Sequence, residues 1–523
     1  VYLTQGLHRA MQQRPNTTAV RFESKAITFA ELGTRVERLA GALRKLGIAN
    51  GERVAMLSAN SPRYIEYYMA TPWAGGVLNP LNTRWSASEL LYALDDSASS
   101  ILIVDDTFRA LGIRLASEAR SLRHVIYAGD EDTPDGMLNY ESLIAESEPV
   151  EDGRRQGDEL AGIFYTGGTS GFPKGVMLSH TNLGVAALTT VAIGHVATGT
   201  VFLHAMPMFH LAGFSAISAL LACGGVHVIV PAFTPRATIE AISQHGVNRL
   251  MLAPTMLQML LDWIDGNPAE SACLDMSSLT RITYGASPIS QTLLRRAQQA
   301  FPKAEFVQGY GMTELSPVCA SLGPEYHTEE AYASGQMRAA GRPAMCVEIK
   351  IVDVQGREVP RGTTGEIIVR GPNVMLGYWN KPEATAEVLR DGWLHTGDGG
   401  YMDDDGLLYV VDRLKDMIVS GGENIYSAEV ENAIASHPAV AQCAVIGIPS
   451  DRWGETVHAV IVAKPGEVVT AEAIQAHCRE RIAGYKCPRS VEFRDSLPIS
   501  HVGKVQKNVL REAFWTNQQR SVA

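Results

Sequence analysis

Tyr165-Thr166-Gly167-Gly168-Thr169-Ser170-Gly171-Phe172-Pro173-Lys174-Gly175 places four glycines, three aliphatic hydroxyls and one lysine within eleven positions. Such a density of these residue types builds a phosphate cradle. Glycine lets backbone N–H groups turn inward and approach an anion, Thr166, Thr169 and Ser170 add short donors, and Lys174 adds positive charge. The common P-loop is excluded, because it needs a hydroxyl directly after Gly-Lys to reach magnesium, whereas Gly175 follows Lys174 here. A different nucleotide chemistry is implied.

Outward from this loop the chain reads as layered α/β. Helical patterns over Phe29 to Leu46 and Pro62 to Trp73 flank the strand-like run Arg53 to Leu57. Ser100 to Asp105 and His227 to Val230 are short and apolar, as buried parallel strands are. The stretch Val201 to Phe233 is the most membrane-like, but His204, Pro207, His210, Gly224 and Gly225 interrupt it, so it reads as core. Near Cys346 the pattern changes: Val347 to Val352 and Glu366 to Arg370 alternate apolar and polar residues, as half-exposed antiparallel strands do. Past Asp412-Arg413-Leu414-Lys415 it changes again, with helices over Ser427 to Ser436 and Thr470 to Ile482 and strands around Val440 to Ile446 and Val457 to Val462. The expected organisation is a large domain over 1–411, β-rich from about 335, and a small α+β domain over 412–523.

Composition sets limits on function. With 523 residues, 46% hydrophobic and 19% charged, the chain has material for more than one core. A net charge of −11 argues against a nucleic-acid surface, so anionic ligands must be held by local features. The seven cysteines are scattered without a Cys-x-x-Cys pair, which fits reduced thiols and a cytoplasmic setting. Val1 to Ala19 has no apolar core of signal-peptide kind.

Further motifs recur in order. Tyr284-Gly285-Ala286-Ser287-Pro288 is small and turn-forming; Gly309-Tyr310-Gly311-Met312-Thr313-Glu314 offers an aromatic face, close-approach glycines, a hydroxyl and a carboxylate. Trp393-Leu394-His395-Thr396-Gly397-Asp398 ends on an acceptor suited to a cis diol. Ser420-Gly421-Gly422-Glu423 and Pro498-Ile499-Ser500-His501-Val502-Gly503-Lys504 complete the set. Together with the phosphate loop, these motifs resemble those of the acyl-adenylate-forming enzymes, in the family's order from about Phe22 to Arg511. Gly167 stands where the family has serine, and Ser170 where it has a second threonine.

The resemblance implies an acid:CoA ligase working on ATP with magnesium and coenzyme A. Thr166, Gly167, Gly168, Thr169, Ser170, Gly171 and Lys174 would hold phosphates. Gly285, Ala286 and Ser287 would line the adenine and acyl sites, and Tyr310, with Gly311 and Met312 beside it, would stack on adenine. Thr313 would contact the α-phosphate, Glu314 would bind magnesium, Asp398 and Arg413 would take the ribose. His210 would gate the acyl site, Lys504 would bridge carboxylate and α-phosphate, with Lys507 as its rival, and Gly421 and Gly422 would border the pantetheine tunnel. Asp412 would be the hinge.

Phe209, Phe214, Met312 and Val318 suggest an apolar acyl pocket suited to a fatty or an aryl acid. Thr166-Gly167-Gly168-Thr169 and Ser420-Gly421-Gly422-Glu423-Asn424-Ile425-Tyr426 resemble the forms of fatty-acyl ligases, so a medium- or long-chain fatty acid is expected; an aryl acid of hydroxycinnamate or benzoate type, which Met206-Pro207-Met208-Phe209-His210 also fits, is the alternative. Transfer of an amino acid to a carrier protein fits less well, because Phe209 is followed by His210-Leu211-Ala212-Gly213 with no acid for an α-ammonium group. A luciferase-type oxygenase shares the motifs, and a non-catalytic sensor would be expected to lose Lys504 or Glu314. The expected partners are a small carboxylic acid, ATP and CoA, with no nucleic acid and no transmembrane segment; a homodimer is compatible with such a chain.

Overall fold

The computed structural model describes residues 1–167, 173–287, 289–421, 423–499 and 505–515, with the backbone alone at 424. Two large sheets dominate. The first runs in the order Arg342–Pro343, Ala320–Leu322, Glu305–Tyr310, Arg281–Gly285, Arg249–Leu252, Val201–His204, Val226–Ile229, Thr18–Phe22 and Lys25–Thr28, with its central strands parallel. The second runs Gly377–Tyr378, Lys174–Ser179, Leu160–Thr166, Val77–Pro80, Arg53–Leu57, Ser99–Val104, His124–Tyr127 and Leu138–Asn139. The apolar runs around Ser100 and His227 are fully covered parallel strands, as their continuous hydrophobicity requires.

The helix Pro62–Ala74 is buried over nearly all its length, and Tyr64, Tyr67 and Tyr68 are inaccessible. The hydroxyls of Tyr67 and Tyr68 and the acid beside them would be costly there without partners. Tyr67 donates to the Val54 carbonyl at 2.9 Å and Tyr68 to that of Met208 at 2.7 Å, and Glu66 receives Arg35 at 2.6 Å and Tyr140 at 2.7 Å. The membrane-like stretch resolves into the strand Val201–His204, the buried helix Leu211–Cys223 and the strand Val226–Ile229. No helix among the described residues is long and apolar enough to cross a membrane.

The alternating segments near Cys346 form a third, antiparallel sheet: Glu348–Val352, Gly365–Arg370, Trp393–Met402 and Leu389–Arg390, with Leu408–Arg413 paired to Trp393–Met402. A fourth sheet follows, made of Glu423–Ile425, Ile418–Ser420, Gly454–Ala463 and Val440–Ser450, with Ser490–Phe493 alongside. Its helices Ser427–Ala435 and Ala471–Arg479 cover a core of Ile418, Val430, Ile434, Val457, Ile461 and Ile474. The fold is a large α/β portion with mixed sheets and a β-rich part, followed by a small α+β portion.

Candidate active site

Several of the motif residues lie where strands end. Thr166 and Lys174, which flank the phosphate-loop segment, are paired at one end of two antiparallel strands. Gly168, Thr169, Ser170 and Gly171 lie outside the described residues, as do Gly422 and Lys504. Gly285 and Tyr310 end neighbouring parallel strands, the edge at which α/β sheets bind ligands. A Cβ at Gly285 would stand 2.5 Å from the Gly309 carbonyl oxygen, and one at Gly311 would overlap that of Pro317, so both strands can approach only as glycine. Ala286, exposed, holds φ +68°, a left-handed conformation that an alanine adopts under strain. Ser287 is half-buried beside it.

Two charged clusters form around these ends. In the first, the buried carboxylate of Asp398 accepts the Tyr310 hydroxyl at 2.7 Å and pairs with Arg413 Nε at 2.7 Å. Burial first, then Asp398, pushes the Tyr310 hydroxyl well above its ordinary pKa, so it stays a donor. Asp398 and Arg413 lie directly opposite each other on paired strands, and the Thr396 hydroxyl receives the Asp398 N–H at 3.0 Å. In the second cluster Glu314, 7% exposed, accepts the Tyr378 hydroxyl at 2.9 Å, and Lys174 Nζ sits 5.0 Å from the centroid of the same ring. Tyr378 thus ties the loop lysine to the acid. Thr313 opens the short 3-10 turn that carries Glu314, with Met312 just before it, both half-exposed.

His210 stands at the head of the helix Leu211–Cys223, half-buried, its ring centroid 5.6 Å from that of Phe209. The segment leading to it is pinned from elsewhere. Asn60 donates to the Met206 carbonyl at 3.0 Å and accepts the Met208 N–H at 2.7 Å, and Tyr68 holds the Met208 carbonyl. The loop hairpin is pinned similarly: the Asp96 carboxylate accepts the Tyr165 hydroxyl at 2.6 Å, and its carbonyl accepts Trp379 Nε1 at 2.8 Å.

At the junction, Asp412 Oδ2 accepts both the N–H and the hydroxyl of Ser427, the first residue of the helix Ser427–Ala435. Lys507, the rival for the adenylation lysine, donates to Ser427 Oγ at 2.5 Å and pairs with Glu431 at 2.8 Å. Burial would lower its pKa, but Glu431, Asp412 and Asp416 outweigh that and hold it raised. A lysine so engaged belongs to the small portion's own structure. Gly421, at φ +63°, donates its N–H to the Trp453 carbonyl at 2.9 Å and lies against that indole.

Tyr378, Asp96, Asn60, Tyr68 and Trp453 escape a reading by motif. Each acts across a long sequence separation and carries no local signature.

A family model described as AMP-binding enzyme matches residues 7–379, and one described as AMP-binding enzyme C-terminal domain matches 429–504. The chain belongs to the AMP-binding enzyme family. Within it, the chain falls in the acid:CoA ligase branch of the acyl-adenylate-forming enzymes, as an AMP-forming ligase. A feruloyl-CoA synthase from Amycolatopsis sp is 41% identical over 511 residues, 97% of this chain and 98% of its own length. A medium/long-chain-fatty-acid–CoA ligase, FadD8 of Mycobacterium tuberculosis, is 33% identical over 98% of this chain and 90% of its own. The ATP-bound crystal structure of MatB from Rhodopseudomonas palustris superposes with a TM-score of 0.87 at 32% identity, covering 99% of each chain.

Proposed function

We propose that this ligase acts on aryl carboxylic acids, hydroxycinnamic acids foremost, with ATP, magnesium and CoA. The observation that carries the reading is the 41% identity, over almost the full length of both chains, to a feruloyl-CoA synthase, against 33% to a medium/long-chain-fatty-acid ligase. The expectation of a fatty acid, drawn from the likeness of the phosphate loop and the Ser420-to-Tyr426 segment to those of fatty-acyl ligases, therefore gives way to the aryl alternative. An apolar wall serves a flat ring as well as an alkyl chain, so composition could not separate them.

In the first half-reaction the substrate carboxylate attacks the α-phosphorus of ATP; a P–O bond forms, pyrophosphate leaves and acyl-AMP results. Tyr310 packs on adenine and Asp398 turns to the ribose hydroxyls, with Arg413 holding the carboxylate in place. Lys174 and the loop face the outer phosphates, and Thr313 and Lys504 oppose charge growing on the α-phosphate. Magnesium needs only one or two protein carboxylates beside waters and phosphate oxygens, and Glu314, fixed by Tyr378 next to Lys174, fits that need. In the second half-reaction the CoA thiolate attacks the acyl carbonyl and AMP departs. His210 opens the path to the carbonyl, the small domain of 412–523 turns about Asp412, and Gly421 and Gly422 leave room for the pantetheine arm. The free cysteines suit a cytoplasmic setting.

The test is kcat/KM with ATP, magnesium and CoA across hydroxycinnamic, benzoic, medium-chain and long-chain fatty acids. Hydroxycinnamic acids should exceed fatty acids by at least about tenfold, the effect of one well-made pocket contact. A fatty acid as best substrate would overturn the reading.

A further inference from the structure

We infer that His195 is a specificity-determining residue at the far end of the acyl pocket, where its imidazole receives the hydroxyl carried by the distal end of the acid's ring. This inference rests on the aryl-acid reading above and names the residue that would recognise such an acid.

Gly309, next to last in the strand Glu305–Tyr310, faces one side of it while Tyr310 points to the other, toward Asp398. The nucleotide side and the acyl side of the strand are thus separated by Tyr310 itself. A Cβ built on Gly309 would meet only His195 Cε1 at 3.6 Å and Val318 Cγ2 at 3.8 Å, both ordinary contact distances. The bare backbone of Gly309 is therefore a ledge walled by one apolar and one polar side chain. Gly309, Gly311, Met312, Thr313 and Val318 are all partly exposed, so the ledge belongs to the cleft that begins at Thr313.

His195 itself is 6% exposed, and its Nε2 is buried with no hydrogen-bond partner. A buried polar nitrogen left unpaired costs about 1–3 kcal/mol, a cost that a hydroxyl brought by a ligand would remove. The imidazole edge toward Gly309 carries Cε1; a half-turn of the ring exchanges Cε1 with Nε2 and puts the unpaired nitrogen over the ledge. The backbone holds the residue still: its N–H donates to the Thr190 carbonyl at 3.1 Å, and both Arg249 and Arg281 donate to the carbonyl of Gly194 just before it. Burial first, then these two arginines, lowers the His195 pKa to about 3. At neutral pH the ring is uncharged and offers one nitrogen lone pair, the acceptor that a phenolic O–H requires.

The experiment compares cinnamic acid with 4-hydroxycinnamic acid on the whole protein, reading the ratio of their kcat/KM values for wild type, His195→Leu and His195→Asn. Wild type should favour the hydroxylated acid by about tenfold, the size of one neutral hydrogen bond. His195→Leu should bring the ratio to about 1, and His195→Asn, which keeps an acceptor, should retain part of it. Thermal melts identify a variant that does not fold, and if leucine fails there, the asparagine ratio decides. A ratio equal in all three proteins overturns the role of His195 while leaving the aryl reading intact. A wild type that turns over neither aryl acid but accepts a fatty acid overturns both.

Discussion

Lys507 donates to Ser427 and pairs with Glu431 at the root of the small portion, an arrangement that an amine destined for a phosphate would have to abandon. The two lysines of the C-terminal motif should therefore respond differently to removal. Lys504→Ala should slow acyl-AMP formation by about 10² or more with an unchanged melting temperature, the scale for one transition-state donor. Lys507→Ala should lower stability by about 2 kcal/mol. That is less than for a fully buried pair, because the side chains of Lys507 and Glu431 remain 14% and 22% exposed. Single-turnover rates and melts on both variants check this, and a stable Lys507→Ala with the larger catalytic loss would reverse the assignment. Gly-Lys order favoured Lys504 over Lys507, but that signal is local, whereas the contacts of Lys507 come from a helix some eighty residues earlier. The same limit hid Tyr378: nothing around it in sequence announces that its hydroxyl and ring join Glu314 to Lys174.

At the scale of elements, the two strands that flank the phosphate-loop segment are held from outside their own hairpin. Leu160–Thr166 and Lys174–Ser179 are fixed at one side by Gly377–Tyr378 and at their tip by Asp96, which holds Tyr165 and Trp379 together. Burial first, then Asp96, raises the Tyr165 pKa, so it remains a donor through the working pH range. Tyr165→Phe leaves the ring and removes that bond. KM for ATP should rise about tenfold while KM for CoA stays put, since a charge-assisted hydrogen bond is worth about 1.5–3 kcal/mol and part of that loss falls on ATP binding. Initial rates against each substrate measure it, and equal rises in both would point to general loosening. Most elements were legible from pattern: Phe29–Lys45, Pro62–Ala74, Arg53–Leu57 and the alternating strands Glu348–Val352 and Gly365–Arg370 stand where periodicity puts them. Sheet order was not, because the strands Thr18–Phe22 and Val226–Ile229 pair across some two hundred residues.

For the molecule as a whole, buried histidines set a pH limit. Burial, the main cause in each, lowers the pKa of His195 and His204 to about 3 and of His180 and His327 to about 4, and His227 lies well below 6.5. The unfolded chain takes up protons at these sites near pH 6.5 and the folded chain does not, so their stabilisation is present above that pH and is lost as pH falls toward 4. One unit below 6.5 each such histidine costs about 1.4 kcal/mol. Thermal melts from pH 7.5 to 5.5 should show a steadily falling Tm; a flat profile would contradict the burial of these rings. Composition alone did not separate these rings, because a histidine in an apolar run can be fully buried or partly exposed, as His204 and His210 illustrate six positions apart.

The account stands on a two-step reaction through an acyl-adenylate, and rapid quench with mass detection of the purified enzyme tests that directly. With ATP, magnesium and a hydroxycinnamic acid but no CoA, acyl-AMP should accumulate to about one equivalent per active site, and adding CoA should convert it to thioester with release of AMP. Thioester formed with no acyl-AMP detectable before CoA is added, or release of ADP and phosphate in place of AMP and pyrophosphate, would contradict it.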